Sequence, residues 1–328
     1  MFGTFFDACF HCRLFAPAPS PSSTGNHNRF LMAASVRIAV VGDIHDDWDS
    51  EEDPKALQFL QPDLVLFTGD FGNENVELVR RIADLRITKA AILGNHDSWN
   101  THQFSITTMD AVQLQLECLG DEHIGYKRLD FPTLKLSVVG GRPFSCGGDQ
   151  LFRKKLLSAR YGVNDMDGSA KKIYRAATGT PDDHSIILLA HNGPKGLGSN
   201  MNDICGRDWV YQGGDHGDPD LSQAISLLKE TTKYSIPLVV FGHMHNELAY
   251  GGLRKMISLG ADNTIYLNGA IVPRVKRSDK ICIRAFTLVE ISGGKIAKIA
   301  ETWVSVAGDQ ISLKEEHVLF TSSCEVSS

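Results

Sequence analysis

Nowhere in the 328-residue chain does an apolar run approach the roughly 20 residues that a membrane-crossing helix needs, so no membrane partner is expected. A cationic excess is missing as well. Lys and Arg number 33 against 39 Asp and Glu, for a net charge of −6, which argues against a general polyanion-binding surface. No disulfide framework can be drawn either. The seven cysteines, at 9, 12, 118, 146, 205, 282 and 324, are odd in number and irregular in spacing. Several lie in apolar contexts such as Ile281-Cys282-Ile283, and they read as reduced thiols of an intracellular or organellar protein. Cys9 and Cys12 have the spacing of half a zinc site, but no second half follows, and they read as two cysteines of a leader. No internal repeat and no linker divides the chain. Apolar content of 42% and charged content of 22% suit a globular domain, long enough to bury a core without staples.

Acidic residues are nearly absent from residues 1–35, where Asp7 stands alone beside Arg13, Arg29 and a Pro- and Ser-rich run from Ala16 to Thr24. An acid-poor, Ser-rich segment with scattered Arg is the signature of an organellar transit peptide, and a plastid is favoured over a mitochondrion. The competing reading starts translation at Met32, which would leave a cytoplasmic protein. The expected organisation is a leader over 1–35, a single domain over 36–306 with a long loop at 193–219, and a fraying tail over 307–328.

What the sequence does contain is five short blocks. They are Gly42-Asp43-Ile44-His45, Gly69-Asp70, Gly94-Asn95-His96-Asp97, His191-Asn192-Gly193 and Gly242-His243-Met244-His245. Each follows an apolar run that reads as a buried strand, at 36–41, 63–68, 88–93, 186–190 and 236–241. Helical patterns lie between them, at 54–60, 74–85, 106–119, 151–161, 168–178 and 219–229. Alternating β and α patterns predict parallel sheet with helices on its faces, and functional residues just past the carboxyl ends of the strands. Further strands are expected at 134–139, 264–267, 281–291 and 295–306.

The collection is one that metal binding requires. Asp43 and His45 would share a side of an extended segment, as would His243 and His245. Asp70 has two oxygens with which to bridge two ions, Asn95 offers a neutral oxygen, and His191 an imidazole. Mixed nitrogen and oxygen donors suit Mn²⁺, Fe or Zn²⁺ better than Ca²⁺, and the lack of thiolates disfavours a structural zinc site.

In this order the blocks resemble the calcineurin-like metallophosphoesterase superfamily, whose pattern is D-x-H, G-D, G-N-H-D/E, H and G-H-x-H. The resemblance implies an α/β fold, a four-layer αββα sandwich of two mixed β-sheets flanked by helices. It implies two divalent ions, one held by Asp43, His45, Asp70 and His245, the other by Asp70, Asn95, His191 and His243. Asp70, Asn95 and His96 would be the catalytic set, with His96 beside the substrate rather than on a metal. A water bridging ions about 3.5–4 Å apart would be acidified to hydroxide and attack a small phosphomonoester or phosphodiester in line. His96 would assist the leaving group.

The flanks depart from one branch. Protein serine/threonine phosphatases of this superfamily extend the second block to G-D-x-x-D-R-G, whereas here Asn73 and Glu74 stand where that Asp and Arg would be. An amide cannot stabilise imidazolium as a carboxylate does, and a glutamate cannot grip phosphate. Substrate arginines must then come from elsewhere, and Arg142 and Arg207 are the candidates. The loop holding Trp209, Tyr211 and His216 is the candidate lid. Asp97 is expected to orient its loop, Asp46, Asp47 and Asp49 to form a solvated acidic turn, the basic turn Arg153-Lys154-Lys155 to lie on a solvated helix face, and Arg274 to Arg277 to mark an exposed connection. Two competing functions are a catalytically silent scaffold of the same fold and a nuclease. Retention of all seven ligand positions and of His96 weighs against the first. The acidic balance and the lack of a basic groove interleaved with aromatics weigh against the second.

Overall fold

A computed structural model describes residues 35–104, 109–278 and 282–322. They form thirteen strands: β1 Ser35–Val41, β2 Leu64–Phe67, β3 Lys89–Ala91, β4 Arg128–Phe131, β5 Leu136–Gly140, β6 Ser185–Leu189, β7 Leu238–Phe241, β8 Ile257–Leu259, β9 Ile265–Asn268, β10 Val275–Arg277, β11 Cys282–Ser292, β12 Lys295–Ala307 and β13 Gln310–Thr321. The helices are α1 Glu52–Leu60, α2 Val76–Ala83, α3 Ala111–Leu119, α4 Lys154–Tyr161, α5 Met166–Ala177 and α6 Pro219–Thr231. The expected leader falls outside the described residues.

Two mixed sheets result. One has seven strands in the order β13-β12-β11-β1-β2-β3, with β10 added beside β11; the other has six, β4-β5-β6-β7-β9-β8. β1, β2 and β3 run parallel, as do β5, β6, β7 and β9. Alternation along the central strands sorts their side chains into two cores. Ile38, Val40, Leu64 and Leu66 join Ile187, Leu189, Leu238 and Val240 of the other sheet in a cluster between the sheets. The intervening residues, Ala39, Val41, Val65 and Phe67 on one side and Ile186, Leu188 and Val239 on the other, belong to a second cluster with the apolar faces of the helices. Burial on both faces is why these strands read as continuous aliphatic runs. The outcome is the expected four-layer sandwich.

Several elements differ from expectation. β4, β8 and β10 carried too little periodicity to be anticipated, each being three or four residues long. The segment expected to fray after residue 306 is instead β13, a twelve-residue strand paired antiparallel with β12. Its middle is exposed on both faces, so no apolar alternation marks it. Nor is Arg274 part of an exposed connection. It is buried, and its guanidinium holds Asp53 Oδ1 at 2.6 Å and the Asp47 carbonyl at 2.7 Å. The acidic turn is solvated as expected, with Asp46 and Asp49 exposed, and its carboxylates are also engaged: Arg277 pairs with Asp47, Asp46 accepts from Asn75 Nδ2, and Asp49 accepts the amides of Glu51 and Glu52 at the start of α1.

One buried imidazole sets an acid sensitivity. His123 forms an isolated bridge with Ala91, and its Nε2 has no hydrogen-bond partner. Burial, reinforced by the charges of Lys127 and Arg160, pushes it down to about 3. Between pH 6.5 and 3 the unfolded chain therefore takes up a proton that the folded protein refuses, so stability falls as pH drops and is unaffected above that range. At pH 5 the loss is about 2 kcal/mol, from roughly 1.4 kcal/mol per pH unit below the ordinary value. Urea midpoints at pH 7 and pH 5 should show wild type losing that much more than His123→Leu.

Candidate metal centre and active site

Five loops meet beyond the carboxyl ends of β1, β2, β3, β6 and β7, and they bring the five blocks together. The backbone does this by turning rather than by extension. Asp43, His45, Asp70 and His243 all have positive φ, at 43°, 46°, 51° and 66°. The extended geometry expected for Asp43-x-His45 and His243-x-His245 is thereby corrected. In a left-handed turn the carbonyls and amides face inward, and they are used: His45 N donates to the Asp70 carbonyl at 2.9 Å, and His243 N to Asp43 Oδ1 at 3.0 Å. Such residues cost on the order of 1–3 kcal/mol each and persist where the surroundings enforce them. The glycines of the blocks make room. A Cβ on Gly94 would strike Asp70 Oδ1 and His191, and one on Gly242 would strike Asp43 Oδ1.

The donor atoms converge in two overlapping groups. Asp43, His45 and His245 form one and Asp70, His191 and His243 the other, while His45, Asp70 and His96 form a third that links them. In the first, His245 Nε2 lies 3.4 Å from Asp43 Oδ2 and 3.1 Å from His45 Nε2. In the second, His191 Nε2 lies 3.4 Å from Asp70 Oδ1 and 2.9 Å from Asn95 Oδ1. Asp70 faces both, since its Oδ2 is 3.8 Å from His45 Nε2. Ligands bonded at about 2.0–2.2 Å to one ion sit roughly 3–3.5 Å apart, so the donor set and its spacing fit divalent ions. His191 is oriented from behind by the Thr68 carbonyl, 2.8 Å from its Nδ1, which leaves Nε2 to face the group.

Electrostatics agree. Burial alone would raise the Asp70 carboxyl, but the His191 imidazole holds it well below the usual carboxylate range. Asp43 is likewise held down, against its burial, by His245 and His191. His191, whose burial opposes charge, is raised to about 10 by Asp70. His243 is pushed down to about 3 by burial and by His191, so it keeps a lone pair to offer. The field that retains a proton on His191 would retain a cation.

His96 belongs to the linking group with His45 and Asp70. Its Nδ1 lies 2.6 Å from Asn73 Oδ1, its amide donates to Asp70 Oδ1 at 2.8 Å, and its ring stacks on Trp99 at 4.6 Å and 7°. Glu74 explains why Trp99 stays there. Its carboxylate accepts the amides of Asn100 and Thr101, at 2.8 and 2.6 Å, and thus clamps the loop that carries the indole. Arg153 closes the same loop by donating to the carbonyls of Ser98 and Trp99, while Lys154 and Lys155 beside it are exposed, as expected of a solvated helix face. Asp97 is buried and accepts the amides of Asp70, Phe71 and Gly94 at 2.8–3.0 Å, the loop-orienting role expected of it.

The two candidate arginines are not brought to the cluster. Arg142 is fully buried, with Nη2 2.7 Å from Asp218 and Nε 2.9 Å from Asp220, and those carboxylates raise it further. It braces the base of the loop after β6 and is corrected from a substrate contact to a structural one. Arg207 packs against Gly214 and takes no part in the cavity wall. That cavity, about 390 Å³, opens over Asp70, His96, His243 and His245 and is also lined by Trp209 and His216. Sequence reasoning missed Trp99, Cys146 and Arg254 beside it; only Trp99 had a signal, three residues after His96. A larger cavity of about 930 Å³ lies at the opposite end of the sheets, around Pro237 and Thr264, with none of the block residues in its wall.

A two-sheet α/β sandwich carries overlapping carboxylate–imidazole groups at its strand ends, a donor set that can hold divalent metal ions. The model of the calcineurin-like phosphoesterase family matches residues 36–247, and the chain belongs to that family. No curated protein matches it in sequence. Among solved structures it is similar to a dimetal phosphatase from Danio rerio, at 10% identity and a TM-score of 0.47, covering 88% of this chain and 99% of that one. A conserved protein from Streptococcus pneumoniae described as a predicted phosphoesterase is similar at 12% identity and a TM-score of 0.32, covering 87% and 98%. PhoD is similar at 9% and 0.44, covering 89% and 73%.

Proposed function

We propose that the protein is a metal-dependent phosphoesterase acting on a small phosphate ester. The observation that carries this reading is the placement of Asp70, whose two oxygens face separate groups of donors. In this reading Asp43, His45, Asp70 and His245 hold one divalent ion, and Asp70, Asn95, His191 and His243 the other, with Mn²⁺, Fe or Zn²⁺ suited to the donors. Bound there, the ions supply positive charge to the phosphoryl oxygens and acidify water. The remaining work belongs to the chain. Thr68 and Asp97 hold His191 and the Asp70 loop in place from behind. Asn73 Oδ1 accepts a hydrogen bond from His96 Nδ1–H, which leaves Nε2 to give or take a proton at the leaving oxygen.

The test is turnover by the purified full chain with Mn²⁺ on an aryl phosphomonoester and a bis-aryl phosphodiester. Metal-dependent release of the phenol supports the reading. Stoichiometric metal without turnover of either ester would favour the silent scaffold.

A further inference from the structure

Two rows of rings descend into the cavity over the donor cluster. One runs Trp99, His96, His45, His245, with centroids 4.6, 4.8 and 5.0 Å apart. The other runs Trp209, His216, His243, His191, at 5.0, 6.1 and 5.1 Å. Each ends in an indole about half exposed, 45% for Trp99 and 48% for Trp209. The two indoles are not equivalent. Trp99 is stacked on His96 and has a second ring neighbour in Phe152, tilted at 38° with centroids 6.4 Å apart. Trp209 meets His216 at 88°, and one perpendicular partner covers at most one face of a ring. Trp209 also lines the cavity, which Trp99 does not.

The Trp209 loop is held rigidly. Asp208 accepts the Ala249 amide at 2.6 Å and pairs with Arg254 at 3.1 Å. Arg254 Nη1 in turn donates to the carbonyls of Asp203 and Gly206, at 2.9 and 2.6 Å. His216, the ring beneath the indole, is fixed through Nε2 to the Cys146 carbonyl at 2.8 Å. An open aromatic face on a fixed backbone is pre-organised for stacking. The charges of the wall limit what can stack there. Beyond the donor cluster the wall contributes Asp208 and Glu247, and its one cation, Arg254, is spent on Asp208 and backbone carbonyls. A further anionic group on a ligand would find no free counter-charge among the described residues of the wall.

We propose that Trp209 is a specificity-determining residue, and that the site takes phosphate esters whose leaving group carries a neutral planar ring, stacked on the open face of that indole. The proposal rests on the phosphoesterase reading. An aryl group and a nucleobase share the chemistry, which is a flat uncharged ring.

The test uses ligands with a phosphorus–carbon bond that cannot be hydrolysed. Methyl(phenyl)phosphinate carries a ring, dimethylphosphinate has none, and methyl(4-carboxyphenyl)phosphinate adds a charge to the ring. Calorimetric titration of the Mn²⁺-loaded full chain should rank the phenyl ligand tightest. Trp209→Ala should weaken it about 2- to 12-fold, the range of one aromatic pair. Trp209→Phe should restore most of that, and dimethylphosphinate should bind all three proteins alike. Equal binding of the three ligands by wild type, or equal weakening of all of them by Trp209→Ala, overturns the proposal. Turnover separates it from its parent reading. Wild type inactive on aryl and alkyl phosphomonoesters and phosphodiesters alike refutes the phosphoesterase, whereas active protein with no ring preference refutes only the stacking.

Discussion

Asp70→Asn is expected to reduce turnover by far more than the roughly 10- to 100-fold typical of residues that only support a metal's ligands. The reason is geometric. Asp70 Oδ1 accepts the His96 amide and faces His191, while Oδ2 faces His45, so both oxygens are committed as acceptors to different groups. An asparagine keeps the shape but has one oxygen. Turned one way it points N–H at the His45 group, and turned the other way at His191 and the His96 amide. Either orientation also removes one of the two buried negative charges that oppose the imidazoles. Metal stoichiometry by mass spectrometry should fall below two per chain. Turnover insensitive to the change would refute the assignment of Asp70 as the shared ligand.

Replacing His96 with alanine separates two roles for the ring. If Nε2 protonates the leaving oxygen, His96→Ala should cost about 10²- to 10⁴-fold on esters of poor leaving groups. An aryl ester whose phenol is a strong acid needs no such proton and should lose much less. A plot of log kcat/KM against leaving-group pKa should therefore steepen in the variant, with metal content unchanged. A uniform drop across the series would assign the imidazole to the phosphoryl oxygens instead. The partner on Nδ1 bears on the size of the effect. Asn73 Oδ1 accepts that N–H at 2.6 Å and brings no negative charge to the ring.

The parts of the fold that could be read from sequence are those buried on both faces. β1, β2, β6 and β7 are short, aliphatic and followed at once by a chemical block, and they occupy the centres of the two sheets. Their order brought Asp43, Asp70, His191 and His243 to one place without any knowledge of the turns. The turns themselves were illegible. His45 and His243 adopt left-handed backbone that histidine adopts uncommonly, and only the amides and carbonyls of other loops enforce it. Arg142 was misjudged because its carboxylate partners lie 76 and 78 residues away, in a stretch whose acids look solvated. Glu74 was legible in a negative sense, as a residue unable to hold phosphate. Its service as a clamp on the Trp99 loop depends on amides 26 and 27 residues on.

The strand that replaces the expected tail bears on how the molecule meets its own kind. Without β13, the seven-stranded sheet would end at β12 and offer neighbouring chains a ladder of free amides beside Ile299, Trp303 and Val304, all of them buried. With it, the outermost strand displays Lys314, Glu315 and Glu316, and its register slips at two places along the pair. Charge and irregularity on an edge discourage sheet-to-sheet pairing, the route by which open sheets aggregate. β13 therefore acts as a selvedge, finishing the sheet on the side away from the metal-type blocks.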